Sequence, residues 1–316
     1  MSRVVRWFLP ILLVALLPFQ ASLTSAPQES RNPFLVVLGI AQDGGVPQAG
    51  TRADQIDTTL RRLVVCLALI DPESGERWLF EATPDFREQL RRLDQIAPDE
   101  SVPGLDGIFL THAHMGHYAG LLFLGHESMG AVGVPVYAMG GMHDFLKSSG
   151  PWEQLVRYRN IVLRDLTPGY PVRLNNRLQV TPIPVPHRQE YSEVVGFRID
   201  GPDRSALFIP DIDSWDDWDR DGTRVEDLIE GVDLAYLDGT FYHDGELPGR
   251  DMKTFPHPFI TTSMDRFGRL DSVEREKIRF IHLNHSNPAL RSDSPEYRSV
   301  QLNGFRVAEE GERVGL

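Results

Sequence analysis

The sequence predicts an α/β domain with α+β layering, on three observations. Ten short apolar runs, rich in β-branched and aromatic residues, recur between glycine and proline punctuation. Segments with helical spacing fall between some of them. Hydrophobic residues make up 41% and charged residues 24% of the 316 residues, enough for one large core that needs no disulfide or metal staple. Many strands with interspersed helices stack as layers.

In chain order, FLVVLGI (34–40), LVVCLALI (63–70) and RWLFEA (77–82) read as strands. PDFREQLRRLDQI (84–96) then reads as a helix, with Phe86, Leu90, Leu93 and Ile96 at helical spacing and polar residues elsewhere. GIFLTH (107–112) is a strand, and HYAGLLFLGHESMG (117–130) carries a fainter helical pattern. VPVYAM (134–139) is followed by the helix candidate GMHDFLKSSG (141–150). LQVTPIPV (178–185), VVGFRI (194–199), SALFIPD (205–211) and DLAYLD (233–238) are strands. SVEREKIRF (272–280) is a weaker helix candidate that overlaps the last strand, IRFIHLN (278–284). No tandem repeat or low-complexity linker follows residue 33, so residues 27–316 are expected to form one domain.

Residues 1–26 are different. Arg3 and Arg6 precede a 13-residue apolar run, Trp7 to Phe19, and then the small residues Ala21, Ser22, Ser25 and Ala26. That is the order of a secretory signal. The run contains Pro10 and Pro18 and falls short of the roughly 20 apolar residues of a spanning helix, so a signal peptide is expected before a permanent anchor. The expected location is periplasmic or secreted, with membrane contact only through residues 1–26 if they stay uncleaved. The single Cys66 excludes an internal disulfide and reads as a small buried residue.

Net charge is −13, and −15 once the two arginines of residues 1–26 are removed. A surface this acidic repels phosphate backbones, so nucleic acid is not expected as a partner. The expected partner is a small-molecule substrate; the sequence does not fix the oligomeric state.

Residues 111–121 read THAHMGHYAGL, with three of the ten histidines inside six positions. His112 and His114 alternate after a strand and point to one side. His117 follows Gly116, which is expected to free the backbone for a turn into a helix. Three histidines plus a water make a common catalytic zinc set. His187, Asp211 and His282 also lie at the ends of strand-like runs, with His285 just beyond, where a rigid scaffold can present functional groups.

With these residues in place, THAHMGHYAG resembles the HxHxDH signature of the metallo-β-lactamase fold. His187, Asp211 and His282 fall in the order of its later metal motifs, and FEATPD (80–85) in the place of its first. LGIAQDGGVPQ (38–48), ATPDFR (82–87), DGTFYHDGEL (238–247), HPFI (257–260) and FIHLNHSNPAL (280–290) are similar to segments of the coenzyme pyrroloquinoline quinone (PQQ) synthesis protein B family. The resemblance implies an αββα sandwich of two mixed sheets with helices on the outer faces. It departs at Gly116, where the superfamily carries an aspartate, so a second ion is expected to bind more weakly. The cysteine pair of the quinone-synthesis family is replaced by Ala49-Gly50-Thr51.

The resemblance implies metal ligands among His112, His114, His117, His187, Asp211 and His282, and His285 is the candidate substitute for the carboxylate missing at Gly116. Asp211 and His282 are the candidate catalytic groups, and Glu81 and Asp85 the candidate outer partners. Zinc, one ion or two, is the default for a nitrogen-rich set, with iron as the alternative. The expected function is an exported hydrolase that uses a metal-activated water on a small-molecule ester, lactam or phosphodiester. The alternatives are an iron-dependent oxygenase, as the quinone-synthesis family implies, and a non-catalytic metal or small-molecule binder. DWDRDG (217–222) begins like a calcium loop, but its twelfth position is Leu228, where a bidentate glutamate is required, so a solvated acidic loop is expected. Trp215 and Tyr242 are candidate pocket-lining aromatics.

Overall fold

Strand β1 (Phe34–Gly39) shows how the layers form. Leu35 and Val37 join one apolar cluster and Val36 and Leu38 another, so the strand is buried on both faces. The computed structural model describes residue 1 and residues 31–316, apart from residues 56 and 58. The proposed export segment, Met1 apart, therefore lies outside the described residues. Residues 31–316 cluster as one compact unit.

The remaining strands are β2 (Cys66–Ile70), β3 (Arg77–Phe80), β4 (Gly107–Phe109), β5 (Val134–Ala138), β6 (Ile161–Asp165), β7 (Val172–Arg173), β8 (Gln179–Pro184), β9 (Val195–Asp200), β10 (Ser205–Ile209), β11 (Leu234–Asp238), β12 (Ile278–Ile281), β13 (Arg306–Val307) and β14 (Arg313–Gly315). They form two seven-stranded sheets, ordered β14-β1-β2-β3-β4-β5-β6 and β13-β12-β11-β10-β9-β8-β7. Both are mixed. β3 to β6 run parallel, as do β10 to β13, and the other pairings are antiparallel. Phe80, Phe109, Phe197 and Phe208 meet between the sheets with ring centroids 5.2–6.1 Å apart. The two sheets with their helices make the αββα sandwich.

The outer face of the first sheet is covered by α1 (Phe86–Ile96), α2 (Met115–Tyr118), α3 (Gly140–Ser148) and α4 (Trp152–Arg157). The second sheet carries α5 (Trp215–Arg220), α6 (Val225–Glu230), α7 (Ile260–Phe267), α8 (Ser272–Lys277) and α9 (Pro295–Leu302). α1 follows the expected pattern, burying Phe86, Leu90 and Leu93. Arg77, 1% exposed, stitches the start of β3 to the 97–106 loop: its guanidinium donates to the carbonyls of Gly104, Ala97 and Pro103 and to Asp94.

Several expectations change in detail. The segment 117–130 is no long helix: α2 stops at Tyr118 and a 3-10 turn spans Ala119–Leu124. Ala82 N–H takes the His117 carbonyl, and Gly120 N–H donates to Ala82, so the chain is tied to the end of β3 there. The acidic loop is instead α5 and α6, with Ser214 capping α5 through the Asp217 N–H. The calcium-like residues 217–222 therefore lie on a helix and its end, where Asp219 pairs with Arg266. Trp215 and Tyr242 are both core residues, although one edge of Trp215 borders a cleft described below.

Candidate metal centre

The strands stop short of the apolar runs that announced them. β3 ends at Phe80, one residue before Glu81; β4 at Phe109, three before His112; β8 at Pro184, three before His187; β10 at Ile209, two before Asp211; and β12 at Ile281, one before His282. A residue that leaves the ladder can turn its side chain toward a common point. Glu81 and His282 do so with left-handed backbones, φ 82° and 66°. Each such position costs about 1–3 kcal/mol and persists where surrounding contacts enforce it.

Two groups of four ligand atoms result, sharing one oxygen. In the first, His112 Nε2 lies 2.8 Å from His114 Nδ1, and His187 Nε2 lies 3.2 Å from it. Asp211 Oδ2 is 3.5 Å from His112 Nε2 and 3.3 Å from His187 Nε2. In the second, the same Asp211 oxygen is 3.7 Å from His117 Nε2 and 3.8 Å from His282 Nε2. Asp43 Oδ1 completes this group, 3.3 Å from His117 Nε2 and 3.9 Å from His282 Nε2. Ligands about 2.0–2.2 Å from a tetrahedral zinc stand about 3.3–3.6 Å apart; the first group is somewhat tighter than that on average and the second somewhat wider, each within about 0.5 Å of what such an ion needs.

Three atoms of the second group, His117 Nε2, His282 Nε2 and Asp43 Oδ1, are buried without a hydrogen-bond partner. Nitrogens and a carboxylate oxygen that converge without a hydrogen bond are what a cation would satisfy. The donor set of five imidazoles and two carboxylates fits zinc and admits iron.

Every one of the five rings is held from behind. Thr111 Oγ1 stands 2.9 Å from His112 Nδ1 and donates to Glu81 at 2.6 Å. Glu190 lies 2.9 Å from His114 Nε2, and Asp213 2.6 Å from His187 Nδ1. Glu81 lies 3.1 Å from His117 Nδ1, and Thr240 Oγ1 2.9 Å from His282 Nδ1. Such partners fix ring orientation and tautomer. Burial, with the neighbouring imidazoles, pushes His112 well below its usual range. Burial opposes charge on Asp211, but His282, His187, His257 and His117 around it outweigh burial and lower its pKa. Burial likewise opposes charge on Asp43, and His117 and His282 hold its carboxyl well below the usual carboxylate range.

Of the residues singled out from sequence, His112, His114, His117, His187, Asp211 and His282 converge here, and Glu81 stands behind two of them. His285 does not: it is exposed and lines a separate hollow of about 380 Å³ with Val46, Pro47 and Arg291. Asp85 does not either, because its carboxylate accepts the Val64 N–H at 2.9 Å. Nor does Gly116 serve as a backbone hinge, since it is absent from the left-handed positions and sits within α2. Asp43, Asp238 and His257 were not foreseen. His257 Nδ1 lies 2.9 Å from Asp238 Oδ2 and 3.3 Å from Asp211 Oδ1. Burial pulls the His257 pKa down, but Asp238 and Asp211 drive it up, to about 9.

A cleft of about 1100 Å³ opens beside His257 and Asp213, bordered by Trp215, Phe259 and Leu270. Its charged rim holds Asp213, Asp216, Asp219, Glu226, Asp227, Glu230 and Asp265 against Arg224, Arg266 and Arg269. Arg266 is occupied by Glu226 and Asp219, so the rim is acidic on balance.

A histidine–aspartate centre on one rim of an αββα sandwich defines a protein of the metallo-β-lactamase fold. Residues 76–283 match the beta-lactamase superfamily domain, more than half of the chain, and the chain belongs to that superfamily. It is similar to coenzyme PQQ synthesis protein B of Xanthomonas oryzae pv. oryzae, 27% identical over 311 residues that cover 89% of this chain and 99% of that one. Among solved structures, zinc-bound PqqB from Methylobacterium extorquens superposes with a TM-score of 0.73 at 24% identity, covering 90% of this chain and all of that one. A diphosphatase from the PhnP family gives 0.61 at 21% identity, over 90% and 97% of the two chains.

Proposed function

We propose that this protein is an exported, metal-dependent hydrolase that acts on a small-molecule ester, lactam or phosphodiester. The observation that carries the reading is the pair of ligand groups that share Asp211 Oδ2, with a partner behind each imidazole. A divalent ion bound there supplies a water that ionises near neutral pH and a Lewis acid for the substrate oxygen. The chain supplies the rest. Glu81, Thr111, Glu190, Asp213 and Thr240 hold the rings in one orientation. Asp238 holds a proton on His257, which stands between the centre and the cleft as the candidate general acid. The cleft next to His257 receives the body of the substrate, and its acidic rim suits a neutral or cationic group better than a polyanion. That argues for a small molecule and against a nucleic acid.

The test is turnover of a panel comprising a nitrophenyl ester, a chromogenic β-lactam and bis(nitrophenyl) phosphate. Metal-free and zinc-reloaded protein are compared. Zinc-dependent turnover of one class, abolished in His112→Ala/His114→Ala, supports the reading. Equal rates with and without metal would sink it. Similarity to coenzyme PQQ synthesis protein B favours a second reading, an iron-dependent oxygenase. Iron in protein purified without added metal, with oxygen uptake, would select it. A chain that binds metal and small molecules yet turns over nothing would be a binding protein. Export is tested by fractionating cells that express the chain with and without residues 1–26: periplasmic recovery only with the segment is expected, and cytoplasmic recovery of both would refute it.

A further inference from the structure

We infer that Asp43 has taken over the ligand position left by Gly116, so that the second ion is held by a carboxylate from the loop after β1 rather than from the histidine segment. The inference rests on the metal-dependent reading above. Gly116 lies in α2 and is not at a left-handed position, so its backbone does not call for glycine. What calls for glycine is space. A Cβ on residue 116 would lie 2.5 Å from Asp43 Cα and 2.8 Å from Asp43 Cγ, and closer still to Oδ1. Asp43 therefore fills the volume into which a side chain at 116 would project. An aspartate at 116 and Asp43 in its present place exclude each other. One carboxylate has been removed from the histidine segment and another set in the same spot from 73 positions earlier in the chain.

The position is built. Ala41 bridges to both Val64 and Leu283, and Gln42 N–H donates to the Leu283 carbonyl at 2.9 Å. Gly45, at φ 67°, donates to Gln42 at 2.8 Å and closes the turn that presents Asp43. The turn is thus pinned to the residue after His282, a ligand of the same ion, which fixes the carboxylate and that ring relative to each other. Asp43 Oδ1 is buried and without a hydrogen bond, as are both ring nitrogens it faces. In an outer-partner role it would be hydrogen-bonded to a ring; here it stands where the rings point. The weakening of the second site expected from Gly116 is thereby offset.

The experiment is a zinc titration of chelator-stripped protein, with bound metal counted by elemental analysis, for wild type, Asp43→Ala, Asp43→Asn and His114→Ala. Wild type is expected to bind two zinc ions per chain. Both Asp43 variants should bind one tightly, with the other step weakened more than about 100-fold, beyond the range of outer-partner changes. His114→Ala should lose the other ion, so that the two variant types give complementary titrations. Thermal melting of the metal-free proteins confirms folding, and Asp43→Asn, which keeps the side-chain shape, guards against a folding defect in Asp43→Ala. Asp43 variants that keep the wild-type count and affinities overturn the inference. A wild type that takes up no zinc or iron overturns the metal-dependent reading itself, a result seen before any variant is compared.

Discussion

Asp213→Ala is the substitution whose effect follows most directly from the geometry. Asp213 Oδ1 sits 2.6 Å from His187 Nδ1, on the side of the ring opposite the ligand nitrogen. The two atoms meet as an ion pair outside hydrogen-bond geometry, so the worth of a hydrogen bond to a charged group, about 1.5–3 kcal/mol, bounds the contact from above. The Asp213 side chain is 24% exposed, so solvent screens it and the lower half of that range applies, about 1.5–2 kcal/mol. At about 1.4 kcal/mol per factor of ten, zinc affinity should fall about 10–30-fold at one of the two steps. That lies inside the 10–100-fold range known for outer partners of metal-bound histidines. Asp213→Asn keeps an acceptor and loses the charge, so it should fall between wild type and Asp213→Ala. Competition with a chromophoric zinc chelator measures the affinities, and urea unfolding of the metal-free proteins checks that the fold is intact. If folded Asp213→Ala binds both ions within twofold of wild type, Asp213 does not support the ligand ring and the argument is wrong.

Asp211→Asn should weaken both ions together, because one oxygen serves both groups, and should lower kcat/KM on any metal-dependent substrate about 10³-fold, equivalent to several kcal/mol; loss of a single ion with the other unchanged would refute the shared role. Lowering pH should release metal as protons compete for the imidazole nitrogens, so affinity rises with pH; unchanged metal content after dialysis at pH 5 and pH 8 would contradict an imidazole centre. Arg77→Ala should destabilise the metal-free protein by about 3 kcal/mol or more, because it strands three loop carbonyls and removes a buried guanidinium; a urea-midpoint change equivalent to less than about 1 kcal/mol would show that the stitch is dispensable.

Much of this site was legible because its residues carry local signals. His112, His114 and His117 sit in one run, and His187, Asp211 and His282 each terminate an apolar segment that reads as a strand. Their convergence follows from parallel strands ending on one rim, together with the sequence order that resembles the superfamily's. Asp43 was not legible because nothing in AQDGG relates it to a glycine in another segment. The missing acid at 116 was the one clue, and it asks for a replacement without saying from where. His257 lies in a coil after Pro256 with no periodic pattern, and its role comes from Asp238, which the sequence offered only as the end of DLAYLD and the start of DGTF. His285 misled because it is only three residues from His282, yet its side chain is exposed and lines a separate hollow. Asp85 misled because a backbone N–H from the 63–65 segment, remote in sequence, claims its carboxylate. The acidic run 217–222 read as a loop because a six-residue helix gives too few turns for a period to show.

The division of the ligand groups between the two sheets has a mechanical result. His112, His114 and His117 follow the first sheet, and His187, Asp211 and His282 follow the second. Any ion in this centre therefore rivets one half of the sandwich to the other at an open rim. Its binding energy is held as adhesion across the seam. Chelation should thus loosen the mouth of the fold before its base.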